Sequence, residues 1–156
     1  MVDDFEKYHS LALYSLVQKN DLDIKVKKLD FSKSAFLINE TTGLYIKHSS
    51  ARLSPWNFGF RGMDYLVLSE IQSKTMENYV ALVCGFMGIA VLSFEELEKL
   101  TGIFDDPERN CRVTVRTKRG GSWAISGNNG ELQRMKHKTD PWRDIELSCE
   151  KGGSYQ

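Results

Sequence analysis

The stretch AFLINETTGLYIKHSS, residues 35–50, decides the fold. Residues 35–38 and 44–48 each have the length and apolar content of a β-strand. Residues 40–43 between them have the composition of a turn, and we expect Gly43 to supply the positive φ that a tight connection needs. The sequence therefore predicts a β-hairpin at this place.

Helices and strands are predicted on both sides of this hairpin. Apolar residues at three- and four-residue steps indicate a helix over residues 4–19, and alternation indicates a half-buried strand over residues 22–29. Further elements follow the hairpin: an aromatic strand at 56–60, a helix at 64–76, a buried strand at 78–84, a strand at 89–92, a helix that Ser93 and Glu96 cap, and two strands at 113–116 and 122–126.

These elements predict one α+β domain over residues 1–150, with a central mixed or antiparallel sheet and flanking helices. Residues 151–156 read as a disordered tail. The length of 156 residues fits a single domain.

Composition narrows the cellular setting more than the function. The 21 basic and 21 acidic residues cancel, so the whole molecule has no net attraction to nucleic acid or membranes. Cys84, Cys111 and Cys149 are odd in number and far apart, which does not indicate a disulfide framework or a zinc site. An acidic start without a basic signal region, and the lack of a long apolar run, predict a cytoplasmic protein with no membrane partner.

Positive charge is concentrated late in the chain. Between residues 109 and 138, Glu131 is the only acidic residue. The segment Lys118-Arg119-Gly120-Gly121 is predicted to be the tip of a hairpin. Such clustering is what contacts to phosphates need. The nucleic-acid-binding candidates are Arg112, Arg116, Lys118, Arg119, Arg134, Lys136 and Lys138. A solvated strand face and a site for an acidic protein partner are the alternatives.

The order of elements around Lys47 resembles the core of the PD-(D/E)XK nuclease superfamily. A helix leads into three strands, the third strand ends in Tyr45-Ile46-Lys47-His48-Ser49-Ser50, and a helix and a buried strand follow. The resemblance covers about residues 4–100 and implies a restriction-endonuclease-like core. It also implies a catalytic lysine at Lys47, with carboxylates that hold Mg²⁺.

The carboxylate positions of that superfamily are not acidic in this chain. Tyr45 stands two residues before Lys47, and Ser34 and Ala35 stand early on the second strand. Asp30 and Glu40 are the nearest carboxylates, so the catalytic candidates are Lys47, Glu40 and Asp30, with Glu6 as a further contributor to a rearranged site. We expect no cofactor unless the nuclease reading holds, in which case Mg²⁺ is required. The alternative is that Lys47 is a solvent-facing residue of the hairpin.

Trp56 and Phe58 are candidates for a partner-binding surface, because exposed aromatic rings stack on bases or anchor protein partners. The alternative is that these rings cover the core of a sheet. No Gly-x-Ser-x-Gly elbow supports a nucleophile at Ser49, Ser50 or Cys84, and His9, His48 and His137 have no partner at ligand spacing.

Three functions follow from these features. The favoured hypothesis is a nuclease-like domain that binds nucleic acid through its late basic hairpin and lacks an intact active site. The second is a protein-binding inhibitor or accessory module that uses Trp56 and its neighbours. The third is an active metal-dependent nuclease with rearranged carboxylates.

Overall fold

The computed structural model describes residues 2–19, 24–143 and 145, which fold as one mixed α+β domain, as the sequence predicts. The proposed end of the domain at residue 150 and the tail at 151–156 lie outside the described residues. The elements are α1 (Asp4–Lys19), β1 (Val26–Lys28), β2 (Ala35–Ile38), β3 (Thr42–Ser49), β4 (Trp56–Phe60), α2 (Gly62–Lys74), β5 (Glu77–Cys84), β6 (Gly88–Ser93), α3 (Phe94–Thr101), β7 (Cys111–Lys118), β8 (Ser122–Gly127), β9 (Gly130–Glu131) and β10 (Lys136–His137).

The first sheet has the strand order β1-β2-β3-β5-β6. Strands β1, β2 and β3 are antiparallel, β5 runs parallel to β3, and β6 returns antiparallel to β5. The run Val80–Cys84 on β5 is buried throughout, which the continuous apolar sequence predicts for a central strand.

The turn between β2 and β3 differs from the expectation in one respect. Asn39 and Glu40 have the positive φ values, 50° and 67°, whereas Gly43 lies inside β3. A side chain at Gly43 would collide with Ile71 of α2. The glycine is therefore needed for close packing of the helix on the strand and not for the turn.

Helix α1 covers one face of the first sheet. Tyr8, Ala12 and Leu16 are buried at helical spacing and pack with residues of β2, β3, β5 and β6. Strand β1 lies at the edge of the sheet and is exposed at all three positions, so it is shorter and less buried than the half-buried strand expected over residues 22–29. Residues 22 and 23 of that expectation are outside the described residues.

A second sheet, which the sequence pattern does not predict as a separate layer, has the order β10-β8-β7-β4, with β9 beside β8. Its inner face and the other face of the first sheet enclose a core with α2 and α3. Strand β4 leaves the first sheet because Trp56, Phe58 and Phe60 all point into this core and its backbone pairs with β7.

The helix ends follow local chemistry. Ser93 accepts a hydrogen bond from the Glu96 N–H while Glu96 accepts one from the Ser93 N–H, and Gly102 ends α3 with φ at 70°, as predicted. Helix α2 begins at Gly62, two residues before the predicted start. No helix among the described residues is long and apolar enough to cross a membrane.

Candidate functional site

Lys47 is held in place on three sides, at the carboxyl end of β3. Its Nζ donates to the Asp64 Oδ1 at 2.9 Å and to the Gly59 carbonyl at 2.5 Å, and it lies 4.7 Å from the centre of the Phe60 ring. The side chain is 20% exposed. Lys47 is therefore not the solvent-facing hairpin residue of the alternative reading, since it connects β3 with β4 and α2.

Asp64, the partner of Lys47, is itself fully engaged. Its Oδ1 also accepts from the Tyr45 hydroxyl at 2.6 Å, and its Oδ2 accepts from the Arg61 N–H at 2.9 Å in the first turn of α2. Burial, together with the hydrogen bond to Asp64, raises the pKa of Tyr45 above its ordinary value. The sequence analysis missed Asp64; its position three residues after Arg61, at a helix start, was the available signal.

The other predicted catalytic residues do not join Lys47. Glu40 is exposed in the β2–β3 turn, before β3 begins, and pairs with Lys25 at 3.6 Å. Asp30 is exposed in the connection between β1 and β2. Glu6 accepts a hydrogen bond from the Asp3 N–H at the start of α1. Within the described residues, no hydrogen bond or ion pair joins Glu40, Asp30 or Glu6 to Lys47, so the structure does not bring the residues of the rearranged site together.

The residues around Lys47 do not fit Mg²⁺. That ion needs oxygen ligands from more than one group, and Asp64 is a single carboxylate whose oxygens already accept three hydrogen bonds. Across the described part of the chain, no three His, Cys, Asp or Glu side chains converge on one point. We therefore derive no metal-dependent step at this place.

Trp56 and Phe58 are buried, at 1% and 2% exposure, which corrects their proposed role as a partner-binding surface. The Trp56 indole N–H donates to the Ala51 carbonyl at 2.9 Å, and its ring contacts Trp123 edge-on. Both rings fill the space between the two sheets, where no partner reaches them. The signal was present in the sequence, because alternation of Trp56, Phe58 and Phe60 with small or polar residues is typical of a strand with one buried face.

The cations of β7 lie on the outer face of the second sheet. The strand is buried at Cys111, Val113 and Val115, exposed at Arg112 and Arg116, and half-buried at Thr114. Lys118 continues the exposed row toward the hairpin. Along the strand, Arg112 and Arg116 are about 13 Å apart and Lys118 is about 7 Å further on. The exposed positions of β7 therefore form a charged face.

The neighbours of these cations are small or polar. Strand pairing places Gly59 beside Arg112, Ala124 beside Arg116 and Ser122 beside Lys118. Asn57 and Ser126 lie beside Thr114 on the same face, and Glu131 beside Ser126 is the one carboxylate that the described strand pairs bring to it. Within the described residues, no carboxylate pairs with Arg112, Arg116, Lys118 or Arg119.

The β7–β8 connection forms the hairpin tip that the sequence predicts. Lys118 pairs with Ser122, and Gly120 and Gly121 have φ values of 76° and 72°. Arg119 is exposed, and a Cβ on either glycine would have no atom within 4 Å. The tip therefore projects two cations and an open backbone into solvent.

The remaining predicted cations divide between two places, so the window from 109 to 138 is not one continuous surface. Lys138 lies beside the tip, because its N–H donates to the Gly121 carbonyl at 2.8 Å. Lys136 instead pairs with Glu96 of α3 at 2.9 Å, and Arg134 lines the same cleft of about 950 Å³ between α3 and the segment 129–145. Lys136 and Arg134 therefore face away from the hairpin group, and the ion pair neutralises Lys136.

Among the described residues, Cys84, His9 and His48 are packed against other side chains. Cys84 is buried, and its burial raises its pKa to about 12. His48 stacks on Tyr8 with ring centres 4.5 Å apart, and His9 lies 3.3 Å from the Ser34 hydroxyl. Burial lowers the pKa of both histidines.

No protein-family model, curated protein or solved structure matches this chain.

Proposed function

We propose that this domain binds nucleic acid through a basic surface made of Arg112, Arg116, Lys118 and Arg119, which we call the hairpin surface. The observation that carries the proposal is that these four cations stand on an exposed strand and its hairpin tip, with no ion-pair partner among the described residues. Phosphate contacts give most of the affinity of sequence-independent binding, and unpaired arginine and lysine side chains supply them.

The shape of the outer face supports the same proposal. Gly59, Ala124 and Ser122 beside the cations are small, so a phosphate backbone can approach the sheet without meeting bulky side chains. The Gly120-Gly121 tip has room on all sides for a backbone contact.

We do not include catalysis in the proposal. The Lys47 ammonium is engaged by Asp64, by the Gly59 carbonyl and by the Phe60 ring, which fits a structural role. The order of α1, three antiparallel strands, α2 and a strand parallel to β3 supports the nuclease-like part of the hypothesis, in a form that lacks the carboxylate pair. The protein-partner hypothesis relied on exposed rings at Trp56 and Phe58, and both side chains are buried.

The test is the salt dependence of binding to a fluorescent oligonucleotide. We expect affinity to fall by orders of magnitude between 50 and 200 mM salt if several phosphates are contacted. The variant Lys118→Gln/Arg119→Gln should bind more weakly and reduce the slope of log affinity against log salt by about two.

The matched control removes the same charge elsewhere. Lys7 and Lys74 are exposed lysines in helices and pair with Asp4 and Glu70. The variant Lys7→Gln/Lys74→Gln should change the slope much less than the hairpin variant. A flat salt response of the wild-type protein, or equal effects of the two variants, would remove the proposal.

A further inference from the structure

An exposed aromatic ring, that of Phe86, lies at the end of a stack of rings between α1 and the β5–β6 turn. Tyr8 of α1 stacks on His48 with ring centres 4.5 Å apart and on Phe86 with ring centres 5.5 Å apart. Tyr8 is buried, whereas Phe86, in the β5–β6 turn, is 74% exposed. The ring of Phe86 is therefore supported from the protein side and open on the solvent side, so little side-chain entropy remains to be lost when a flat ligand covers it.

The turn that carries Phe86 is contiguous with the hairpin. Gly88, which follows this turn, lies against the Lys138 side chain, since a Cβ there would be 3.6 Å from the Lys138 Cγ. The Lys138 N–H in turn donates to Gly121 of the hairpin tip. An extended chain lying across this end of the domain would meet Phe86, Lys138 and the hairpin in succession.

The β3–β4 loop completes the same end of the molecule. The Ala51 carbonyl lies so close to Gly85 that a Cβ there would be 2.6 Å away, and the Ser54 hydroxyl accepts from the Thr117 N–H at 3.1 Å. Arg52 between these contacts is exposed and has no ion-pair partner among the described residues. A cation therefore flanks the Phe86 turn on the loop side, and Lys138 flanks it on the hairpin side.

We propose that this end of the domain selects single-stranded nucleic acid, with an unpaired base stacked on Phe86 and the adjoining phosphates on Arg52, Lys138 and the hairpin surface. The inference rests on the proposed function and adds its ligand class. An aromatic ring with an adjacent row of cations is the arrangement by which proteins bind single strands without reading sequence. A duplex keeps its bases inside its own stack, so it offers the phosphates to the cations but no free base face to Phe86.

The experiment compares a labelled oligothymidylate of about 15 nucleotides with a duplex of the same length, at one salt concentration. The wild-type protein should bind the single strand more tightly. Phe86→Ala should weaken binding to the single strand about tenfold and leave binding to the duplex within about twofold. Phe86→Trp should retain the wild-type preference, because it keeps a ring at the same place.

Tyr14→Ala provides the matched control. Tyr14 is also an exposed aromatic residue, at 62% exposure, but it lies six residues beyond Tyr8, about 9 Å further along α1. This variant should bind both ligands as the wild-type protein does. Circular dichroism should show the same fold in all variants, since Phe86 and Tyr14 are exposed.

The outcomes separate this inference from the proposed function. If Phe86→Ala binds the single strand as tightly as the wild type, or loses affinity for both ligands equally, the base-stacking inference is wrong, while a salt slope that depends on Lys118 and Arg119 keeps the proposed function. If the wild-type protein binds neither oligonucleotide at low salt, both are wrong.

Discussion

Lys47 and Asp64 form the least exposed ion pair of the described residues, with side chains 20% and 15% exposed and 2.9 Å between Nζ and Oδ1. The pair joins the end of β3 to the start of α2, and the Gly59 carbonyl adds β4 to the same junction. One strand from each sheet and the helix α2 therefore meet at one ammonium group, which gives it a measurable effect on stability.

Removal of the ammonium should destabilise the domain. We expect Lys47→Met to lower the free energy of unfolding by about 2 kcal/mol, less than for a fully buried pair, because both side chains retain some contact with water. Urea denaturation measures the change. Lys25→Met, at a pair with Glu40 that is more than 60% exposed on both sides, should cost less than about 0.5 kcal/mol. Equal losses in the two variants would contradict a structural role of Lys47.

A methyl group at Gly43 should be poorly tolerated. The Cβ would collide with Ile71 and lie 3.0 Å from the Thr75 side chain, so α2 would have to move away from β3. We expect Gly43→Ala to lower the free energy of unfolding by about 2 kcal/mol. Gly59→Ala is the control, since a Cβ there meets nothing within 4 Å, and its stability should stay close to wild type. Thermal or urea unfolding of the two variants measures the change in the free energy of unfolding.

Two histidines should make stability depend on pH. Burial is the largest cause that lowers the pKa of His9, and His48 and Lys33 lower it further while Asp3 opposes them. Burial likewise lowers the pKa of His48. In the folded state these rings therefore take up protons at lower pH than in the unfolded state, whose histidine pKa is about 6.5. The stability that they contribute is fully present above this value and is lost as the pH falls below it toward the folded pKa values.

The measurement is the urea midpoint at pH 7.5 and at pH 5.5. The wild-type midpoint should fall over this interval, and it should fall less in His9→Gln/His48→Gln, whatever the absolute stability of that variant. The same decrease in both proteins would show that His9 and His48 do not determine the pH response.

Much of the fold could be predicted from local patterns. Helix α1, the β2–β3 hairpin, the buried strand β5 and the capped helix α3 all lie where periodicity and capping residues indicate. The predicted position of the turn residue was wrong, because Asn39 and Glu40 adopt the left-handed conformation. Gly43 is instead required by its close contact with Ile71 of α2, which is 28 residues further along the chain. Local patterns carry no information about such distant contacts.

Less of the candidate site than of the fold could be predicted from the sequence. Strand alternation in the sequence places Arg112, Thr114 and Arg116 on one face of β7, and in the structure these positions are exposed or half-buried while Val113 and Val115 are buried. The separation of Lys136 from this group depends on α3, since Glu96 attracts it into a cleft. The pairing of Lys47 with Asp64 depends on how α2 packs against β3, which motif spacing does not encode. Charge density along a chain therefore overestimates how many cations share one surface.

The path of β4 determines how the domain can be divided. The chain leaves the first sheet after β3, contributes β4 to the second sheet, and returns through α2 to place β5 beside β3. A fragment that stopped after α3 would keep every strand of the first sheet but would lack β7, leaving the edge of β4 and the rings of Trp56 and Phe58 open to water. The two sheets are thus interleaved parts of one cooperative unit, and truncation at their boundary would yield an aggregation-prone species instead of a smaller independent domain.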